Sequence, residues 1–368
     1  MSVCIEKDIS VMINLNAGSS SIDLVSQAEE ISCGYPAIVY ATCSLAGMMQ
    51  RVHRDLEAGV KLQVIYGGDG TLAAVVNEVR KYLNESPELE APSIAYIPAG
   101  TGNILKPTIG INKLKQPLES LLQKYQNEEE LPIMNIPLVN TEYIDLETGE
   151  NKSMLYTTAG TGLDAELLQD FEEVCRGKSG LFSKGLLGYM RSIFGKTVWK
   201  QGASLFKPEL GEVKIKVEGP AKMVEVENKE ESYQEFSGLV YQGPTSKIHS
   251  VFVGSHPNVG FGITGFPHLK VKDQYLGDEF MQARIVKGDK LKMLGHLILK
   301  TPTIVTNNFR NSPYISELLI PKGGEIITEF DRPVPLQVAG GFVAEACDIK
   351  YKREEEMSLI NWAELIKS

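Results

Sequence analysis

The feature of the sequence that most constrains the fold is an apolar run that ends in glycines and is followed at once by a helical pattern. Residues 61–66 (KLQVIY) have the apolar, β-branched character of a strand, and residues 67–71, the first glycine turn, are Gly-Gly-Asp-Gly-Thr. Residues 72–83 then show the apolar spacing of an amphipathic helix. A strand, a tight turn and a helix in direct succession are typical of parallel sheets covered by helices.

The same alternation extends over the first third of the chain and predicts a doubly wound α/β domain. Further strands are expected at residues 10–15, 37–41 and 93–97, and a further helix at residues 45–56. Ligands of such sheets bind in the turns that follow the carboxyl ends of the strands. The glycine-rich turns are therefore the candidate binding site.

The first glycine turn has the composition of an anion-binding turn. Gly67, Gly68 and Gly70 allow a ligand to approach the backbone closely, and the N–H groups at the start of the following helix favour phosphate. Asp69 would repel phosphate on its own, so its presence predicts a Mg²⁺ ion that bridges the carboxylate to phosphate oxygens. Thr71 would cap the helix and offer a hydroxyl to phosphate. The alternative is that this turn serves only the topology of the chain.

A second glycine turn, residues 98–103 (Pro-Ala-Gly-Thr-Gly-Asn), follows the strand expected at residues 93–97. Gly100, Thr101 and Asn103 give it the same combination of open backbone and polar side chains. Turns on neighbouring parallel strands face one crevice, so the two turns together indicate a nucleotide site more strongly than either alone.

Two further segments give weaker indications. The third glycine turn, residues 14–21, starts at Asn14 after the first strand, and Gly160-Thr161-Gly162 precedes Asp164 and an expected helix. Asp164 lines an acceptor site in one interpretation and simply caps that helix in the other.

Beyond residue 150, short alternating runs predict an antiparallel β-sandwich or barrel. These runs lie at residues 212–217, 223–226, 238–241, 248–253, 280–286, 303–306 and 325–330. Residues 353–367 return to a helical pattern with Met357, Ile360, Leu365 and Ile366 on its apolar face. The expected order is an α/β domain, a β-rich domain and a closing helix.

The composition excludes some classes of function. The net charge of −10 argues against a nucleic-acid partner, which would require clustered positive charge. The five cysteines form no CxxC pair and fit reduced thiols better than disulfides or a zinc site. There is no signal-peptide pattern and no apolar run of membrane-spanning length, so the expected location is the cytoplasm or the surface of a membrane.

Residues 174–208, the basic segment, depart from this acidic background. The segment contains no Asp or Glu, and its seven Lys and Arg residues are interleaved with apolar side chains. A basic amphipathic helix across residues 176–200 is expected, a form that lies on anionic membrane surfaces. The alternative is a helix packed on the β-rich domain with a solvated basic face.

The glycine motifs, in this order, resemble the diacylglycerol kinase catalytic-domain family, which includes bacterial lipid kinases and the sphingosine and ceramide kinases. The family pattern Asn-Pro-x-Ala/Ser-Gly corresponds to residues 14–18, with Leu15 where proline is usual. Gly-Gly-Asp-Gly-Thr and Pro-x-Gly-Thr-Gly/Ala-Asn correspond to the first and second glycine turns, and Gly-x-Gly-x-Asp-Ala to residues 160–165.

The resemblance implies an α/β plus all-β chain. A phosphofructokinase-like, doubly wound nucleotide domain would span residues 1–135, joined by residues 345–368, with a β-sandwich acceptor domain at residues 136–344. ATP and Mg²⁺ are the implied cofactors, and the γ-phosphoryl group would pass to a lipid hydroxyl. Asp69 is implied as a catalytic and metal-binding residue, and Asp164 as a catalytic residue. The implied nucleotide-binding residues are Asn14, Gly67, Gly68, Gly70, Thr71, Gly100, Thr101 and Asn103.

One departure from the family pattern concerns the residues that would act on the hydroxyl of the lipid acceptor. The family carries Asp-Gly-Glu in its last strands, where the glutamate is the expected base for the lipid hydroxyl, but the matching triplet here is Ala339-Gly340-Gly341. The first alternative is therefore a catalytically impaired nucleotide- or lipid-binding protein of the same fold. A second is another kinase with the same glycine turn, such as an NAD kinase. The sequence identifies neither the acceptor lipid nor the oligomeric state, and a homodimer is compatible with it.

Overall fold

The computed structural model describes most of the chain, in eleven ranges of residues. These are residues 8–100, 102–111, 116–162, 165–166, 168–169, 211–227, 230–259, 265–271, 274–275, 279–288 and 314–366. The chain divides into two compact units. Unit 1 comprises Met1–Ile136 and Met357–Ser368, and unit 2 comprises Pro137–Glu356.

Unit 1 is an α/β unit in which strands and helices alternate. Its strands are β1 (Ile9–Asn14), β2 (Ala37–Thr42), β3 (Leu62–Gly67) and β4 (Ser93–Pro98). Its helices are α1 (Ile22–Ser32), α2 (Leu45–Glu57), α3 (Asp69–Glu85), α4 (Lys106–Ile109) and α5 (Gln116–Gln126). All four strands run parallel in the order β2-β1-β3-β4.

The hydrophobic pattern explains why the centre of this sheet is the core of unit 1. Every residue of β3 is buried, as expected for a parallel strand covered on both faces. Helix α2 buries Met48, Val52 and Leu56, the spacing that predicted it, and Ser44 caps it by accepting the N–H of Gly47 at 3.2 Å. The predicted α/β alternation is confirmed at these elements.

The end of the chain completes unit 1. The last strand, β16 (Gly341–Ile360), brings Leu359 alongside Ile94 of β4 in parallel. The short helix α6 (Trp362–Leu365) then buries Trp362 completely, and the indole Nε1 donates to the carbonyl oxygen of Tyr96 at 2.8 Å. This indole fills an apolar site and leaves no unpaired N–H, so it ties the chain terminus to the strand that precedes the second glycine turn.

The helix predicted over residues 353–367 is wrong for most of its length. Residues up to Ile360 belong to β16, and α6 is confined to Trp362–Leu365. Burial alternates along β16, with Tyr351, Arg353, Met357 and Leu359 inside, which is the period of a strand. The helical spacing of Met357 and Ile360 arose by coincidence within an alternating pattern.

Unit 2 is built from strands. The strands that lie wholly within it are β6 (Asn151–Tyr156), β7 (Thr158–Gly162), β8 (Glu212–Glu227), β9 (Glu230–Pro244), β10 (Ile248–Gly254), β11 (Lys270–Val271), β12 (Gln274–Tyr275), β13 (Phe280–Lys287), β14 (Ile315–Pro321) and β15 (Glu325–Val338). Strand β5 (Ile133–Ile144) enters unit 2 from unit 1 and pairs with β6, and β16 pairs with β15.

Six of these strands form a closed ring of hydrogen-bonded neighbours. The ring runs β7-β10-β13-β14-β8-β15 and returns to β7. It closes because β8 and β15 are long: one part of β8 pairs with β14 and another with β15. Closure agrees with the barrel alternative that the strand pattern left open. It departs from the β-sandwich that the resemblance implies, in which two sheets pack without sharing strands.

Several predicted features lie outside the described residues. They are Thr101, Asp164, the strand expected at residues 303–306 and the basic segment at residues 174–208. Within the described residues, no helix is long and apolar enough to cross a membrane.

Candidate functional site

The carboxyl edge of the unit 1 sheet contains a topological switch point. The strand order β2-β1-β3-β4 means that the chain moves outward from β1 to β2 and then crosses back to β3 on the other side of β1. The ends of β1 and β3, at Asn14 and Gly67, therefore flank the position where open α/β sheets bind their ligands.

Helix α3 begins at this switch point without a side-chain cap. Its N-cap is Gly68, whereas α1 and α2 are capped by the hydroxyls of Ser21 and Ser44. The backbone N–H of Thr71 bonds to the carbonyl of Gly68 at 3.0 Å, which sets the first turn. The positive end of this 17-residue helix is thus held at the carboxyl edge of the sheet, where it favours an anion.

The first and second glycine turns interlock. The N–H of Ala99 donates to the carbonyl of Gly67 at 2.7 Å. A Cβ placed on Gly68 would lie 3.2 Å from the Cα of Gly100, and a Cβ placed on Gly100 would overlap the Cα of Gly68. The close approach of the two backbones requires glycine at position 100 and leaves little room for a side chain at position 68.

Asp69 ties the same two turns together. Its carboxylate is 7% exposed and accepts the backbone N–H of Ile104, at 3.0 Å to Oδ1 and 2.9 Å to Oδ2. Burial raises the pKa of the neighbouring Tyr96 hydroxyl well above its usual value, and the Asp69 charge adds to the effect. Sequence reasoning missed this task of Asp69, because no local motif marks a bond between residues 35 positions apart.

Asn103 closes the second glycine turn on itself. Its Oδ1 accepts the N–H of Gly100 at 3.0 Å, and its Nδ2 donates to the carbonyl of Gly100 at 2.6 Å. Its φ of 45° is left-handed, a conformation that asparagine tolerates better than most residues. The amide of Asn103 therefore shapes the turn. A direct contact with a nucleotide stays a prediction.

The third glycine turn joins this arrangement through two bonds. Asn14 Nδ2 donates to Thr71 Oγ1 at 2.8 Å, which links the end of β1 to the first turn of α3. Ser19 donates to the carbonyl of Ala99 from both its backbone N, at 2.9 Å, and its hydroxyl, at 2.8 Å. Ser19 was not among the predicted site residues, and its bond to Ala99 spans 80 positions of sequence.

The structure therefore brings together eight residues expected at the site, all of them in unit 1. They are Asn14, Gly67, Gly68, Asp69, Gly70, Thr71, Gly100 and Asn103. Thr101 follows Gly100 directly but lies outside the described residues, as does Asp164.

Residues 160–162 are not a phosphate turn. They belong to β7, where Gly160 pairs with Phe252 and with Gln337. A Cβ on Gly162 would overlap the carbonyl oxygen of His249, so close packing between strands explains that glycine. The expectation of a glycine turn here was wrong, because small residues in a strand that packs closely against others resemble a turn sequence.

The site offers the carboxylate of Asp69 to a metal ion. Among the described residues, no group of three or more His, Cys, Asp or Glu side chains could hold one. Mg²⁺ commonly takes one or two carboxylates together with substrate phosphates and waters, so a single carboxylate at a phosphate site is compatible with it. Asp69 is the acidic side chain at the first turn of α3.

The triplet that replaces the family's Asp-Gly-Glu forms a hairpin turn in unit 2. Val338 of β15 pairs with Gly341 of β16, and Ala339 and Gly340 between them have φ values of 58° and 71°. Two successive left-handed residues define a type I′ turn, in which alanine is strained. The N–H of Gly340 donates to Gln337 Oε1 at 3.2 Å.

The switch point, the uncapped helix and the interlocked turns form a candidate anion-binding site at the carboxyl edge of the sheet. Residues 8–134 match the family described as "Diacylglycerol kinase catalytic domain". The match covers 127 of the 368 residues, so the similarity to this family concerns that part of the chain, which lies in unit 1. A comparison with curated proteins found no match.

Solved structures of kinases share the fold. A diacylglycerol kinase from Bacillus anthracis str. Sterne superposes with a TM-score of 0.52 at 14% identity, over 96% of this chain and 97% of that chain. A yeast NADH kinase complexed with NADH superposes with a TM-score of 0.50 at 11% identity, over 98% of this chain and 86% of that chain. At these identities the likeness establishes the fold alone.

Proposed function

We propose that the chain is an ATP- and Mg²⁺-dependent lipid kinase that transfers the γ-phosphoryl group to the hydroxyl of a diacylglycerol or a sphingoid base. The observation that carries the proposal is the uncapped start of α3, held at the switch point between two interlocked glycine turns. Such a helix start binds phosphate through its backbone N–H groups and its dipole. The match of residues 8–134 to a diacylglycerol kinase family supports the lipid as acceptor.

Each site residue has a task in this proposal. Gly68 and Gly70 present backbone N–H groups to the phosphates of ATP, and Thr71 presents its hydroxyl. Gly100 lets the second glycine turn approach Gly68 closely. Asp69 would be the protein carboxylate that holds Mg²⁺, which would supply positive charge to the transferring phosphoryl group. Phosphoryl transfer depends mainly on positioning and electrostatics, and the interlock of the two turns provides the positioning.

In this proposal the kinase binds its lipid acceptor at a membrane surface. The basic segment, residues 174–208, carries seven Lys and Arg residues and no acid in a chain of net charge −10. Each basic residue near an anionic surface contributes about 1 kcal/mol, so the segment would offset the repulsion from the acidic remainder. A cytoplasmic protein that binds the membrane peripherally fits this proposal.

The test is transfer of radiolabelled phosphate from ATP to a panel of acceptors. Diacylglycerol and a sphingoid base are presented in neutral vesicles and in vesicles with anionic lipid, and NAD and NADH are presented in solution. The proposal expects a labelled lipid, more of it with anionic vesicles, and none with Asp69→Ala. Labelled dinucleotide would favour an NAD(H) kinase, which the shared fold with the yeast enzyme supports as second candidate. Nucleotide binding without transfer would contradict the enzyme proposal.

Restoring the family's acidic triplet is expected to raise lipid phosphorylation. The double variant Ala339→Asp, Gly341→Glu places both carboxylates in the hairpin turn, and aspartate accepts the left-handed φ of position 339 at less strain than alanine. A general base contributes about 10²- to 10⁴-fold in rate, so we expect an increase within that range. The measurement is the initial rate of labelled lipid formation at saturating ATP.

The control for this prediction is the double variant Ala339→Asn, Gly341→Gln. It introduces side chains of the same shapes without a carboxylate, so it reproduces any effect of the turn on stability. Equal rates in the acidic and amide variants would show that position 341 does not supply the base.

A further inference from the structure

Asn14 lies at the end of β1 with both polar atoms of its side chain engaged. Its Nδ2 donates to Thr71 Oγ1 at 2.8 Å, and its Oδ1 accepts the backbone N–H of Asn16 at 2.9 Å. Thr71 is 6% exposed and lies in the first turn of α3. The side chain of Asn14 thus bridges the switch point, from the end of β1 to the helix start at the end of β3.

The backbone fixes which way the Asn14 amide points. The N–H of Asn16 can only donate, so the atom that faces it must be the Asn14 oxygen. The NH₂ group is then turned to Thr71, and because an NH₂ group only donates, the Thr71 hydroxyl accepts this bond. A flipped amide would place two donors together at Asn16.

This arrangement decides the role of the Thr71 hydroxyl. An oxygen that accepts from Asn14 retains its own hydrogen for a second partner. In residues 8–100 and 102–111, the structure describes no acceptor for that hydrogen. The hydroxyl sits beside the uncapped start of α3, where the proposed phosphate binds.

We propose that Asn14 is a positioning residue, which makes the Thr71 hydroxyl a dedicated donor to the nucleotide phosphate. It acts through Thr71, in place of the direct nucleotide contact that the resemblance implies for Asn14. The inference rests on the proposed nucleotide site and adds to it the identity of the donor and the residue that orients it. No bond is made or broken by Asn14.

The first experiment is a double-mutant cycle on ATP binding by calorimetry, with the full chain and Mg²⁺. Asn14→Ala and Thr71→Val are each expected to weaken binding about 10- to 100-fold, as expected for a hydrogen bond to a charged group. The double variant is expected to bind no more weakly than Thr71→Val alone, because Asn14 acts only through that hydroxyl. Thr71→Ser retains a hydroxyl and is expected to bind like wild type.

Asn77→Ala is the matched control. Asn77 lies on α3, and its amide donates to the carbonyl of Ala73 at 2.7 Å, away from the glycine turns. Asn77→Ala removes the same type of side chain as Asn14→Ala, from the helix that carries Thr71, so we expect wild-type affinity. In the transfer assay, Asn14→Ala should raise KM for ATP and leave kcat near wild type, the pattern of a contact made equally in the ground and transition states.

A second variant supplies a signature that general damage to the fold would not produce. In Asn14→Asp the ionised carboxylate cannot donate; it would attract the Thr71 hydrogen to itself and repel phosphate. Once protonated, the introduced carboxyl can donate as the amide does. The ratio of wild-type to variant affinity for ATP is therefore expected to fall as the pH is lowered from 8 to 5.

The outcomes separate this inference from the proposed function. Both the proposed function and the positioning role of Asn14 are supported by three results together. The wild type binds ATP, the losses of affinity in Asn14→Ala and Thr71→Val are non-additive, and the ratio of wild-type to Asn14→Asp affinity depends on pH. If the wild type binds ATP but the losses of affinity are additive, or the affinity ratio stays constant with pH, the positioning role is wrong. The proposed nucleotide site is then still supported. If the wild type binds no ATP, the proposed function and this inference both fail.

Discussion

Gly100→Ala is expected to abolish ATP binding and phosphoryl transfer, with activity reduced by at least about 100-fold, the scale on which misplaced site groups act. The new Cβ would overlap the Cα of Gly68 and lie 3.0 Å from Asn103 Oδ1, so the two glycine turns must separate. The neighbour in this clash is backbone at the start of α3, which cannot rotate away as a side chain could. The measurements are ATP affinity by calorimetry and the rate of labelled phosphate transfer.

The control for Gly100→Ala is Gly70→Ala, which lies in the same group of turns. A Cβ on Gly70 meets nothing within 4 Å, and the residue is already helical, so this variant should be at least as stable as wild type. Thermal unfolding of both variants separates a local effect at the turns from general unfolding. Wild-type ATP affinity in a folded Gly100→Ala protein would contradict the interlock.

The second large effect on phosphoryl transfer is expected when Asp69 is substituted. Two substitutions separate its proposed binding of Mg²⁺ from its hydrogen bond to Ile104. Asp69→Asn retains an oxygen that can accept the N–H of Ile104 but removes the charge, whereas Asp69→Ala removes both. If the carboxylate holds Mg²⁺, both variants lose transfer by about 10²- to 10³-fold, comparable to loss of one electrostatic stabiliser of the transition state. Only Asp69→Ala should also lower the melting temperature, because it leaves the N–H of Ile104 without its acceptor.

The dependence of the rate on Mg²⁺ concentration completes the Asp69 prediction. Asp69→Asn should need more Mg²⁺ to reach half-maximal rate than wild type. Near-wild-type transfer by Asp69→Asn would show that the residue only joins the two turns, and the metal assignment would be wrong.

Much of unit 1 could be predicted from the sequence because strong local signals determine it. The strands ending at Asn14 and Gly67, and helix α2, were located to within one or two residues. Helix α1 was missed because its buried face consists of Leu24, Ala28 and Ser32, too few apolar residues to give a helical period. The apolar pattern detects a helix only where its buried side chains are large.

The residues of the site could be predicted from the sequence, but the hydrogen bonds between them could not. The glycines mark where the backbone must approach a ligand or another chain segment, and sequence alone identified both turns. The bonds from Asp69 to Ile104 and from Asn14 to Thr71 join residues 35 and 57 positions apart. Such bonds depend on which strands are neighbours, which local sequence patterns do not reveal. They add a structural task to the role inferred for Asp69 and a bond to Thr71 for Asn14.

The most direct measurement is hydrogen–deuterium exchange of the wild-type chain with and without a non-hydrolysable ATP analogue and Mg²⁺. Bound phosphate should slow exchange of the backbone N–H groups that it engages, and the nearby loops should become more rigid. We expect protection in peptides that cover residues 14–21, 67–72 and 98–105, and no comparable change along α2 (Leu45–Glu57). Binding of the analogue with protection confined to other peptides, or no binding at all, would contradict a nucleotide site at the glycine turns.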